Sequence, residues 1–93
     1  MLRVLIAEDE LLIADELEER LVASGYEVCG IARTVDHAVA LGELHQPDLA
    51  ILDVRLAKGG RGSEIARRLN RIGKIGVLYA TAGDPRVLSL IHI

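Results

Sequence analysis

Short β-branched apolar runs alternate with longer stretches of helical periodicity along the chain. Residues 3–7 (RVLIA), 27–32 (EVCGIA), 48–53 (DLAILD) and 75–80 (IGVLYA) read as strands. The first is almost continuously apolar, the pattern of a strand covered on both faces. Between the strands, apolar residues recur at spacings of three and four, which marks one buried helix face. Residues 10–24 carry Leu11, Ala14, Leu17 and Leu21; residues 35–46 carry Ala38, Val39, Leu41 and Leu44; residues 63–72 carry Ile65, Ala66, Leu69 and Ile72. The boundaries are marked chemically. Gly25, after Ser24, suits the positive φ of a helix C-terminus. Thr34 is an N-cap, Pro47 stops the second helix and Gly73 ends the third. The order βαβαβαβ implies an α/β fold: a doubly wound parallel sheet with right-handed crossovers and helices on both faces.

The chain of 93 residues is expected to form one domain over 1–93. Tyr26 and Tyr79 are its only aromatic residues, so the core must be aliphatic. A net charge of −3 argues against nucleic acid as the main partner. Cys29 is the only cysteine, which excludes an internal disulfide, and its place in a strand points to the core. The apolar start is too short for a signal peptide, and no apolar run approaches the ~18 residues of a membrane span. A cytoplasmic location without membrane contact is the resulting expectation. His37, His45 and His92 show no metal-ligand spacing. Asp84-Pro85 signals a turn, and residues 86–93 mix helical and strand patterns as an atypical tail. With nothing beyond it, the fourth strand would be an apolar edge and a route to dimers.

The polar residues fall at special places. In "ILDVRL" an aspartate, Asp53, ends an apolar strand, although a buried unpaired carboxylate is costly. Asp is also a common turn residue, and Glu8, Asp9 and Glu10 could merely complement a helix dipole. Yet Glu8 and Asp9 follow the first strand, Asp53 ends the third and Thr81 follows the fourth. In open α/β sheets, ligands bind beyond the C-terminal strand ends where the strand order reverses. With the order 2-1-3-4, strands one and three flank that point. Three carboxylates there would repel unless one takes a proton or a cation binds. Mg²⁺, hard and oxygen-seeking, is the natural cation. Asp53 could then attack a phosphoryl group as a nucleophile, with the Thr81 hydroxyl beside it.

"VLIAEDE" (4–10), "PDLAILDVRL" (47–56) and "VLYATAGDP" (77–85), with "SGYEV" after the first helix, resemble the response-regulator receiver domain of two-component signalling. The resemblance runs from residue 2 to about residue 85 and implies a flavodoxin-like fold. It makes Asp53 the phosphoacceptor, charged by a histidine kinase, a phosphotransfer protein or a small phosphodonor. It implies Mg²⁺ held by Glu8, Asp9, Asp53 and the backbone carbonyl of Arg55. Thr81 becomes the switch hydroxyl, and a downstream effector is an implied partner. Such a domain is not a turnover enzyme. The family continues through a fifth strand bearing a lysine and a last helix; neither is recognisable here, so the domain reads as C-terminally incomplete. Lys58 and Lys74 lie elsewhere.

Other readings are weaker. "GGRGSE" (59–64) lacks the lysine of a nucleotide-binding phosphate loop and follows the wrong strand. The third helix is basic through Arg61, Arg67, Arg68, Arg71 and Lys74, and the first is acidic through Asp15, Glu16, Glu18 and Glu19. Both read as solvated faces, with docking of a partner or kinase as the alternative. A metal-dependent phosphohydrolase also uses a strand-end aspartate, but it wants a second Asp two residues later, where Arg55 stands. A receiver-like adaptor that is not phosphorylated is the remaining alternative.

Overall fold

The computed structural model describes residues 1–80. Their elements run β1 (Arg3–Ala7), α1 (Leu11–Ala23), β2 (Glu27–Ala32), α2 (Val35–His45), β3 (Leu49–Asp53), α3 (Gly62–Ile72) and β4 (Gly76–Ala80), with a short 3₁₀ turn at Ala57–Gly59. The four strands form one parallel sheet in the order β2-β1-β3-β4. The expected α/β architecture and strand order are both present. Thr81 and the tail 86–93 lie outside the described residues.

Side chains alternate across the sheet with the period of two that pleating imposes. Val4, Ile6 and Ile51 point to one face, where Ala14 and Leu21 of α1 cover them. Leu5, Ala7, Ala50 and Leu52 point to the other, where Val35, Ala38 and Val39 of α2 and Ile65 and Leu69 of α3 cover them. Both faces of β1 are therefore buried, as its continuous apolar run requires.

Two predicted boundary signals act where expected, while β3 and β4 each start one residue later than expected, at Leu49 and Gly76. Gly25 has a φ of +93°, so the residue after the α1 C-cap takes the left-handed conformation. The Thr34 hydroxyl accepts the His37 N–H at 3.2 Å and caps α2. Asp48 is not part of β3; its carboxylate accepts the Arg3 N–H at 2.8 Å, and the strand starts at Leu49.

Two expected inward positions are not buried. Leu11 is 59% exposed and Leu44 is 73% exposed. Leu11 begins its helix, and Leu44 lies in the last turn of α2. Periodicity alone does not show where the neighbouring layer stops. Cys29 is half-buried as an extra residue in the β1–β2 ladder: Val4 pairs with Val28, but Leu5 pairs with Gly30. Its thiol donates to the Val4 carbonyl at 3.4 Å, and burial pushes its pKa up, which suits packing rather than reactivity.

Candidate functional site: an acidic crevice at the strand ends

Strands β1 and β3 are adjacent, with Ala7 opposite Leu52. Their C-terminal ends therefore open at the same height. Glu8 and Asp9 continue the chain from β1, and Asp53 closes β3. One ligand oxygen from each of these three carboxylates lies within 4.8 Å of the others. The three residues singled out from sequence are thus brought together. They form the one such acidic or metal-ligating group of three among the described residues.

The local backbone explains why Glu8 is held inside. Its N–H donates to the Ala32 carbonyl at 2.9 Å, extending the β1–β2 ladder one residue past the strands. Glu8 is consequently only 5% exposed, while Asp9 and Asp53 are half-buried. The Glu10 N–H donates to Oε2 of Glu8 at 3.2 Å. These acids do not lie in the first turn of α1, which begins at Leu11. The helix-dipole reading therefore does not account for Glu8.

Electrostatics follow from the crowding. Burial, and then the hydrogen bond with the Asp53 carboxyl, raise the Glu8 pKa from its ordinary 4.5 to about 7. A carboxylate so placed favours either a proton or a cation. Hard carboxylate oxygens from separate chain segments, one of them nearly enclosed, fit a divalent ion such as Mg²⁺.

Arg55 lies two residues past Asp53, exposed and bridged to Arg61. Ala80, the last described residue of β4, lies directly opposite Asp53 in the sheet, so β4 reaches the level of the crevice. Thr81 is the next residue in sequence and is outside the described part.

Gly62 was not singled out from sequence. A Cβ on it would lie 2.2 Å from the Asp53 carbonyl oxygen, so only glycine allows α3 to start against the backbone of that aspartate. The cluster of glycines in the loop after β3 was the available signal, since glycine permits close backbone approach.

Comparison with known proteins agrees with this arrangement. Residues 4–89 match the response regulator receiver domain family. The chain is 49% identical over 81 residues to the transcriptional regulatory protein PdtaR of Mycobacterium tuberculosis, covering 84% of this chain and 38% of that protein. It superposes on the response regulator PhyR of Brucella abortus with a TM-score of 0.80 and 38% identity, over 84% of this chain and 32% of that one. The anti-anti-sigma factor PhyR of Bartonella quintana, solved in complex with the anti-sigma factor NepR, matches with a TM-score of 0.81 and 34% identity, over 92% of this chain and 36% of that one. The chain thus spans about a third of the length of these relatives. Its parallel sheet, its acidic crevice and these likenesses together place the chain in the response regulator receiver domain family of two-component signalling.

Proposed function

We propose that Asp53 is a phosphoacceptor and that Glu8, Asp9, Asp53 and the backbone carbonyl of Arg55 hold Mg²⁺. The observation that carries this is the convergence of the three carboxylates within 4.8 Å at the ends of two adjacent strands. Bound there, the cation would neutralise phosphoryl oxygens during transfer. The chain's own part is nucleophilic. An Asp53 carboxylate oxygen bonds to phosphorus, the donor's bond to phosphorus breaks, and the leaving group departs with that electron pair. The rigid β3 strand, buried through Ala50, Ile51 and Leu52, aims the carboxylate. The Glu8 carboxyl must give up its proton before it can serve as a metal ligand. Thr81 is proposed as the switch hydroxyl that meets a phosphoryl oxygen.

The donor is a histidine kinase or a phosphotransfer protein, and a small acyl phosphate can stand in for it. The likeness to a PhyR solved with an anti-sigma factor supports passing the signal on by protein contact. Turnover of a separate substrate is not part of this reading, because Arg55 occupies the place where an Asp-nucleophile hydrolase carries its second aspartate.

Incubation with Mg²⁺ and acetyl phosphate, followed by intact-mass measurement, tests the assignment. One phosphoryl group is expected on the wild-type chain and none on Asp53→Asn. Equal labelling of both would remove Asp53 as acceptor, and sustained hydrolysis of phosphate esters would favour the hydrolase.

A further inference from the structure

The loop between β3 and α3 folds back on itself. The Leu56 N–H donates to the Gly60 carbonyl at 2.9 Å and the Gly62 N–H donates to the Val54 carbonyl at 3.0 Å. These two bonds flank Arg55 and Arg61, which face each other as an antiparallel bridge. Such a pair, bracketed by hydrogen bonds but making none between its members, is the narrow kind, with Cα atoms about 4.5 Å apart and side chains close together. Opposed residues in an antiparallel pair project from the same face, and like charges there repel.

Among the described residues, neither arginine takes part in an ion pair; the acidic partners go instead to Arg3, Arg20 and Arg68. The two arginines line a pocket of about 340 Å³ together with Val54, Leu56, Gly59 and Gly60. The first turn of α3 opens beside it, with no side-chain cap from Arg61. Two arginines without an ion-pair partner among the described residues, a pocket that both line and the adjoining helix start all favour negative charge in one place.

We propose that this loop, which adjoins the acidic crevice through the Arg55 backbone, is an oxyanion site of its own that takes a phosphate group on the Arg55 and Arg61 side chains. A tetrahedral dianion relieves the repulsion of the opposed arginines. Guanidinium groups offer it paired N–H donors. The pocket is lined otherwise by apolar and glycine residues, so it has no carboxylate of its own to expel an anion. The phosphate can be inorganic or the head of a small phosphate monoester. The assignment does not depend on Asp53 being phosphorylated.

Titration of the full chain with inorganic phosphate and then glycerol phosphate, in EDTA and followed by amide NMR, tests it. Saturable shifts are expected at Gly59, Gly60 and Gly62, with none from chloride at matched ionic strength. Replacing both arginines (Arg55→Gln with Arg61→Gln) is expected to weaken binding at least about tenfold, the loss that follows from removing charged hydrogen bonds. Arg67→Gln removes the same charge outside the pocket and should leave binding unchanged. Tighter binding of glycerol phosphate identifies a monoester ligand; equal binding identifies inorganic phosphate. Shifts that never saturate, that chloride reproduces, or that persist in a folded double variant overturn the proposal.

Discussion

The Glu8 carboxyl makes the stability of this domain depend on pH in a direction opposite to the usual acid effect. Its pKa stands at about 7 in the folded chain against an ordinary 4.5, chiefly because burial penalises the charged form. Below about pH 4.5 the group is protonated in both folded and unfolded chains, so it costs nothing. Between 4.5 and about 7 the folded chain holds the proton more tightly, so stability falls as pH rises through this window. Above about 7 both states are ionised and the full penalty is present, on the order of 3 kcal/mol. That is a large part of the roughly 5–15 kcal/mol by which a whole domain is typically stable. Glu8→Gln keeps the shape and removes the charge. Urea unfolding in EDTA, at a series of pH values from about 5 to about 8, should show the variant gaining on the wild type steadily as pH rises. Parallel wild-type and variant curves, or a variant that is the less stable at the alkaline end, would refute the burial reasoning.

The other predictions concern the metal and the frame. Because Glu8 must lose its proton to act as a ligand, the apparent Mg²⁺ affinity should fall as pH drops below about 7, read as a shrinking Mg²⁺-induced rise in Tm. In Glu8→Gln both the rise and its pH dependence should be much reduced. Leu69 is fully buried between α3 and the sheet, so Leu69→Ala should cost about 2–5 kcal/mol in urea unfolding. Gly62→Ala should destabilise by about 1–3 kcal/mol, since the new Cβ meets the Asp53 carbonyl oxygen at 2.2 Å and backbone cannot yield cheaply. It should also lower Mg²⁺ affinity by shifting Asp53. Gly25→Ala, with a φ of +93° and nothing within 4 Å, carries conformational strain alone and should leave Mg²⁺ affinity unchanged.

Local chemistry carried most of the fold. The continuous apolar run of β1, the spacing of Ile65 and Leu69, the Thr34 cap and Gly25 all reflect forces that act within a few residues, so they are legible along the chain. Leu11 and Leu44 have the same spacing as buried neighbours but are exposed, because the layer that covers a helix comes from distant sequence. The site divides in the same way. That Glu8, Asp9 and Asp53 belong at strand ends follows from their positions beside apolar runs. That Glu8 alone is nearly enclosed depends on its N–H reaching Ala32 across the sheet.

By itself the sequence determined the element order, the aliphatic core and the acids that meet at the crevice, since each is written in periodicity, composition or strand-end placement. Only the tertiary structure decided which carboxylate is desolvated, why Gly62 must lie against Asp53, and that Arg55 and Arg61 stand face to face. Those three outcomes are set by distances between segments far apart in the chain or folded back by a loop. Such distances follow from packing and hydrogen bonding of the whole sheet, not from any residue's own preference.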